Sequence, residues 1–491
     1  MIWIFLSSGM FLGWSLGAND AANVFGTAVS TKMLRFRSAA IITSIFLILG
    51  AMISGAGTTH TIGVLGDVNA IAGSFSVSLA AAISVFLLIK RGLPVSVSQA
   101  IVGAILGWNL FTSSPTDINS LILILFSWVF NPLIAGALSF VLYLLFNRII
   151  KFSKIHLLEI DALTRYGFIL AAAFGAYSLG ANNIAKVVGV FITSSPFRDI
   201  QVYENFKITA LQQLFFTGAL SMAAGIISYS RKTIDTIGSK IFKLTPISAL
   251  ASVFAVSVTL FVFSSQTLHK FLLTLHIPAI PLVPISVTQA MVGAVIGIAL
   301  AKGGSYLNYK IIGKISLGWL ITPVSSALIS LLLLFVMQNV FQQKVFEKIS
   351  FEVNEQVINY LQSGNLNTTK INHLNGITYD NQSSFRQALD YVGISSEETI
   401  FRIFQAAKIE YFRLDSNYAK EKLNPNEFTQ GEIEAVKFLH NESFKHRWQI
   451  VEKLSLISED WRFLTPNPQN LYYNKRLEEK YEIIFSIFKL R

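Results

Sequence analysis

Apolar residues fill the first two thirds of the chain in ten long runs, at 2–28, 38–56, 70–89, 94–111, 120–147, 166–192, 207–229, 246–268, 280–300 and 315–337. A helix crossing a bilayer needs about 20 such residues. One run of this kind suits the core of a large soluble protein; ten in succession do not. Gly, Pro or Asn interrupts several of them, which predicts broken helices. Beyond 337 the pattern turns to Asn, Gln, Lys and Glu, with helical periodicity around 395–418 and 427–462, a loop-like stretch at 364–384 and a break at Thr465-Pro-Asn-Pro468. The chain reads as an all-α polytopic membrane protein with a small, mostly helical extramembrane C-terminal domain.

The polar interruptions recur. Gly17-Ala-Asn-Asp-Ala-Ala-Asn-Val-Phe-Gly26 returns as Gly180-Ala-Asn-Asn-Ile-Ala-Lys-Val-Val-Gly189. Pro94-Val-Ser-Val-Ser-Gln99 returns as Pro284-Ile-Ser-Val-Thr-Gln289, each ahead of a Gly-x-x-x-Gly, at 103–107 and 293–297. Trp128-Val-Phe-Asn-Pro132 matches Trp319-Leu-Ile-Thr-Pro323, and Thr61-Ile-Gly63 matches Thr236-Ile-Gly238. The order is the same in both halves, which divides the chain into a first repeat (1–147), a basic linker (148–162), a second repeat (163–337) and the C-terminal domain (338–491). Five crossings per repeat is odd, so the copies sit inverted in the membrane. That is the plan of secondary transporters that work by alternating access. Segments 94–111 and 280–300 are short, and re-entry by either would change the parity.

Charge adds an orientation. Residues 1–337 carry 20 Lys or Arg against 8 Asp or Glu, whereas 338–491 carry 19 against 20. With ten crossings, sixteen of the basic residues fall in the loops of one side and only Arg198, Lys207 and Lys270 in those of the other. The positive-inside rule places both termini outside the cytoplasm of a cytoplasmic (inner) membrane. Basic loops beside anionic lipid explain the net charge of +11, and no exposed basic stripe suggests nucleic acid. Met1–Leu16 lacks a basic leader and reads as the first span.

The chain has no Cys, no Walker motif and no His spacing suited to a metal, which argues against thiol chemistry, nucleotide-driven pumping and enzymatic catalysis. His269, His276 and His60 read as interfacial, and His440 and His446 as solvent-facing. No cofactor is expected; the coupling ion would be Na⁺ or H⁺. In the Gly-Ala-Asn boxes, small residues permit either tight helix packing or an unwound turn with free carbonyls. Asn19 and Asn182 supply donor and acceptor atoms for substrate. Asp20, a carboxylate in an apolar run, is a candidate Na⁺ or H⁺ site, with Asn23 and Asn183 beside it. Lys186 could face an anion, pair with Asp20 or snorkel to the surface. Ser96, Ser98 and Gln99, with Ser286, Thr288 and Gln289, could surround a tetrahedral oxyanion at helix N-termini.

Taken together, these boxes resemble the inorganic phosphate transporter (PiT) family over about residues 1–337. The segment Ser230-Arg-Lys-Thr-Ile-Asp-Thr-Ile-Gly-Ser-Lys-Ile-Phe-Lys-Leu-Thr-Pro246 resembles that family's cytoplasmic connection. The resemblance implies Na⁺- or H⁺-coupled symport of inorganic phosphate, an inverted repeat and outward-facing termini. It assigns Asn19 and Asp20 to cation and phosphate handling, with Asn182 and Asn183 on the symmetric side and the Ser/Thr residues around the anion. Two departures stand out: Asn183 replaces a common Asp, and Gln99 and Gln289 replace a common His. Sulfate is the alternative anion, and a membrane sensor or scaffold signalling through its tail the alternative class. A homodimer is compatible with either.

Overall fold

The computed structural model describes residues 2–490 apart from 67, 91–94, 115, 154–155, 198–199, 204–205, 238–243, 278–279, 305–308, 395, 416–422, 424–427 and 466–469. Pro94, Arg91, Lys154, Arg198, Gly238, Lys240, Lys243 and Pro466–Pro468 therefore lie outside the described residues, as does the side chain of His60.

Ten helices occupy the ten apolar runs: α1 (Ile2–Ser30), α2 (Phe36–Ser54), α4 (Ile71–Lys90), α5 (Val97–Thr112), α6 (Ile118–Ser153), α7 (Leu157–Val188), α8 (Ala210–Ile237), α9 (Pro246–Ser264), α11 (Val287–Ala301) and α12 (Tyr309–Asn339). Seven of these are long and apolar enough to cross a membrane; α5 and α11 are apolar but shorter, and α1 carries the polar box. Two short helices stand where loops were expected, α3 (Ala56–Gly66) and α10 (Gln266–Thr274). A hairpin of β1 (Ile200–Tyr203) and β2 (Phe206–Ile208) joins α7 to α8.

The two repeats interlock. The largest helix–helix interfaces pair α1 with α8 and α2 with α7, and likewise α5 with α12 and α6 with α11. Each pair exchanges a helix of one copy for its equivalent in the other. Glycines make this approach close enough for backbone contact. A Cβ at Gly17 would strike the carbonyl of Met222, and one at Gly180 that of Leu47. Gly103 lies in the same way on Pro323 and Gly293 on Pro132. Hydroxyls repeat the relation: Ser139 donates to the Ala294 carbonyl (2.7 Å) and Ser330 to that of Ala104 (2.9 Å). The fold is an inverted repeat whose copies pack mainly on each other.

Helix breaks fall elsewhere than the Gly-Ala-Asn boxes. α1 runs unbroken through Gly17–Gly26, and α7 remains helical through its box before a 3₁₀ turn at Gly189–Phe191. The unwound turn expected there is absent because neighbouring backbones fill the space that the glycines leave. The chain is extended instead just before α5 and before α11, and it bends at Gly55 and Ser265.

Chain contacts divide the molecule into Met1–Glu347 and Lys348–Arg491. The eight residues after α12 stay with the first unit. Asn69 bonds both the N–H (2.8 Å) and the carbonyl (2.6 Å) of Glu347, and Trp108 donates to the Val345 carbonyl (3.2 Å).

The second unit holds α13 (Glu355–Ser363), α14 (Gln382–Tyr391), α15 (Glu397–Ala407), α16 (Gln430–Phe438), α17 (Arg447–Ile457) and α18 (Leu471–Phe488), with two small antiparallel strand pairs. It has two apolar cores, one from Phe351 to Ala407 and one from Phe412 to Phe488. His446 corrects the sequence reading: it is buried, its Nδ1 bonds the Lys408 carbonyl (2.8 Å), and its ring stacks on Trp448. Polar flanks made it look exposed, yet it precedes the first turn of α17, where the chain turns inward. Glu410 lies beside Lys489 (2.7 Å), Lys408 (3.3 Å) and Arg447. Burial alone would raise its pKa, but these cations outweigh that and hold it at about 2.

These two groups set the acid response of the C-terminal unit. Burial lowers the His446 pKa below its usual 6.5, so folding favours the neutral ring. The unfolded chain then binds more protons, and stability falls as pH drops through 6.5. The Glu410 contribution, on the order of 2 kcal/mol, persists until pH falls below 4.5. Hydrogen exchange on the full-length protein should show protection in 412–488 weakening between pH 7 and 5, with a further loss below 4.5 that Glu410→Gln removes. Protection that is flat from pH 7 to 5 contradicts the assignment to His446.

Candidate functional site

The two Gly-Ala-Asn boxes meet where α1 packs against α7. Asp20, on α1, is buried and keeps both carboxylate oxygens engaged. Oδ1 accepts from Asn19 Nδ2 (3.0 Å) and Oδ2 from Asn183 Nδ2 (3.0 Å). The second bond crosses from one repeat to the other. Asn183 Oδ1 in turn accepts from Lys186 Nζ (2.7 Å) and from Asn182 Nδ2 (3.0 Å). One amide side chain thereby stands between the carboxylate and the ammonium, touching both.

Lys186 is only 1% exposed, which removes the snorkelling alternative. Its second partner is the main-chain carbonyl of Ile285, at 2.8 Å. Ile285 lies in the extended segment ahead of α11, and Asn182 clamps that residue from both sides. Asn182 Nδ2 donates to its carbonyl (3.0 Å), and its N–H donates to Asn182 Oδ1 (2.8 Å). Thr61, on α3, holds the same segment through the Leu282 carbonyl (2.6 Å).

The serine boxes start helices, as the prolines and hydroxyls predict. Ser96 caps α5 and Ser286 caps α11, each accepting from the N–H three residues on, Gln99 and Gln289, at 3.3 Å. An N-terminus of this kind directs unpaired N–H groups and a positive dipole end outward. Ser98 Oγ, Gln99 Oε1 and Gln289 Oε1 are buried with no partner among the described residues. Buried polar atoms are normally satisfied, so these are atoms for a ligand or water to meet. Thr288, next to Gln289 in the chain, is half-buried.

The structure thus joins Asn19, Asp20, Asn182, Asn183 and Lys186 in one network. It reaches the α11 box through Ile285, next to Ser286. No hydrogen bond among the described residues ties Ser96, Ser98 or Gln99 to that network. Asn23 is buried one turn beyond Asn19 on α1, with no side-chain hydrogen bond among the described residues. Two participants escaped the sequence reading. Asn131, within the Trp-Val-Phe-Asn-Pro box on α6, donates to the Ser286 carbonyl (2.7 Å) and leaves its own buried Oδ1 unpartnered. The duplicated box marked that position without indicating its role. Ile285 acts through its backbone, for which no residue type gives a signal. Of the histidines, His269 bonds the Ile280 carbonyl (2.9 Å), and among the described residues no cluster of acidic and His side chains could hold a metal.

The clamp predicts an asymmetry between equivalent residues. Asn182→Leu strips Ile285 of two bonds inside the bundle, where each unmet group costs about 1–3 kcal/mol. The purified protein should melt well below the parent, while Asn19→Leu, which loses the single bond to Asp20, should melt closer to it. Equal losses in the two variants would contradict the clamp.

The geometry can be set against known proteins. A chain of Haemophilus influenzae named "Putative phosphate permease" is 25% identical over 428 residues, covering 70% of this chain and 97% of the relative. One of the same description from Methanocaldococcus jannaschii is 26% identical over 325 residues, covering 66% and 93%. The solved structure described as the sodium-dependent phosphate transporter shares the fold, with a TM-score of 0.53 and 22% identity over 69% of this chain and 98% of that one. The Phosphate transporter family profile matches residues 16–330 and, in a second stretch, 271–409. Because that match takes in both Gly-Ala-Asn boxes, both serine boxes and well over half of the residues, the chain belongs to the Phosphate transporter family.

Proposed function

We propose that this protein carries inorganic phosphate across the cytoplasmic membrane in symport with Na⁺ or H⁺, by alternating access of its inverted repeats. The observation that carries the reading is the hydrogen bond between Asp20 and Asn183, a carboxylate of one repeat held by an amide of the other inside a membrane bundle. A charge there is expensive and marks an ion path. Its position between the copies makes it sensitive to any motion of one against the other. A cation bound at Asp20 would replace amide N–H donors with positive charge. The helix N-termini at Ser96 and Ser286 would receive the anion.

The unpartnered oxygens of Gln99 and Gln289 support phosphate over sulfate. At neutral pH phosphate still carries a hydroxyl that can donate to an amide oxygen, whereas sulfate can only accept. The names of the relatives and of the solved structure support the same substrate, and the latter's supports Na⁺ as the coupling ion.

Reconstituted vesicles given an inward Na⁺ or H⁺ gradient should accumulate labelled phosphate, with excess sulfate competing poorly. Accumulation that persists without either gradient, or direct uptake of labelled sulfate at a comparable rate, contradicts the reading. Asp20→Asn keeps the side-chain shape and removes the charge. Coupled uptake should fall at least tenfold while the amount of inserted protein holds; unchanged uptake would leave Asp20 a structural role.

The distribution of basic loops supports a C-terminal unit outside the cytoplasm. With no native Cys, single cysteines can report the orientation. Ser363 and Lys314 are both exposed. In cells with any outer membrane made permeable, an impermeant thiol reagent should label Ser363→Cys and spare Lys314→Cys. The reverse pattern would invert the topology, and labelling of both would refute ten crossings.

A further inference from the structure

We propose that the Lys186 ammonium is a tethered cation. It holds a position that a mobile Na⁺ would otherwise fill, so that the protein couples transport to one cation fewer than the site could accept. The inference rests on the symport reading and deepens it.

The surroundings of Nζ are those of an ion site. Among the described residues its two hydrogen-bond partners are uncharged oxygens, the amide Oδ1 of Asn183 at 2.7 Å and the carbonyl of Ile285 at 2.8 Å. Unwound backbone carbonyls coordinate Na⁺ in discontinuous-helix transporters, and a side-chain amide offers a carbonyl oxygen of the same kind. The Ile285 carbonyl is available because the chain before α11 is extended and has no helical partner for it. An ammonium directed at an anion would instead present its N–H groups to the open part of a site. Here two of the three N–H groups are spent on protein oxygens, and the side chain is almost wholly enclosed.

Charge and symmetry point the same way. Asp20 and Lys186 make no direct ion pair within 4 Å among the described residues; Asn183 separates them, donating to one and accepting from the other. The pair nonetheless has no net charge without any bound ion. In the first repeat the position equivalent to Lys186 is Asn23, a neutral residue beside the carboxylate. In the second, Asn183 is neutral where the first has Asp20, and the cation is covalent. One half retains a carboxylate for a mobile ion, and the other has exchanged carboxylate and ion for amide and lysine. Two mobile cations drawn to a single carboxylate would repel each other at this range in a low-dielectric interior; a fixed ammonium prevents the second from binding.

The test is Lys186→Ala, with Lys186→Met as an uncharged variant that keeps the volume. Phosphate uptake into vesicles and the melting temperature of purified protein are both measured against Na⁺, with choline as the balancing ion. Removing the ammonium should open a Na⁺ site. Lys186→Ala should gain Na⁺-dependent stabilisation beyond that of the parent, and its uptake should become steeper in Na⁺, the Hill coefficient rising by about one. Lys186→Met, whose chain still fills the space, should be weakly active and show neither gain. If Lys186→Ala inserts poorly, melting of the purified fraction still decides the matter. Na⁺ responses identical to the parent in both assays would overturn the proposal, as would weakened phosphate affinity with an unaltered Na⁺ response, which would make Lys186 a substrate contact. A parent that moves no phosphate under any gradient refutes the symport reading instead, and the melting comparison would still report on the cation site.

Discussion

A carboxylate and an ammonium share the interior of one helical bundle without touching, and most of the central architecture follows from keeping both satisfied. Both groups are buried, and in such surroundings an unmet charge is prohibitive. Asp20 is met by two amide N–H groups, Lys186 by two oxygens, and Asn183 serves both. For that amide to bridge them, α1 and α7 must lie side by side at these positions. Because the second oxygen for Lys186 belongs to Ile285, the extended segment before α11 must lie against α7 as well. Asn131 then ties the next residue, Ser286, to α6. A continuous line of hydrogen bonds thus runs from α1 through the centre to α6, and the start of α11 is fixed by it.

Packing and polarity follow different symmetries. The glycine contacts and the Ser139 and Ser330 bonds are matched between the copies, because close helix approach asks only for small residues at fixed spacing. The polar centre is not matched. Strict duplication would have set a second carboxylate opposite Asp20, and like charges so near raise the cost of ionising both. Asn183 avoids this while keeping a hydrogen bond across the interface. Among the described residues, the clamp on Ile285 has no counterpart at Asn19 either.

The sequence showed as much of this as depends on composition over a whole helix. Ten apolar runs became ten helices, since about 20 apolar residues in a row have few other uses. The duplicated boxes revealed the repeat, and the serine boxes, read as helix N-termini, marked where α5 and α11 begin. What could not be read depends on neighbours. Gly17–Gly26 looked ready to unwind, yet it remains helical because α8 closes against its glycines, a fact written in residues two hundred positions away. Helix α3 lies between the apolar runs 38–56 and 70–89 and is too short to register as a crossing; the hydroxyl of its Thr58 is met by the Ala181 carbonyl of α7. The partner of Lys186 is a backbone oxygen, invisible to any reading of residue types.

These contacts also constrain how the site can open. In the state described, the segment before α11 is held by Asn182, Lys186 and Thr61 and by a bond from the Val283 N–H to the Phe263 carbonyl at 3.2 Å. Each polar group left unmet in the bundle costs about 1–3 kcal/mol, so the segment cannot swing away bare. Something must take over the bonds as they break, and water, a cation or an oxyanion are the species with suitable atoms. A cation can assume the carbonyl and amide oxygens, while an anion can assume the N–H groups. Loading with both lowers the cost of releasing the segment more than loading with either alone. On the proposed symport, coupling would then need no separate gate, because the bonds that hold this segment would be those that cation and anion replace.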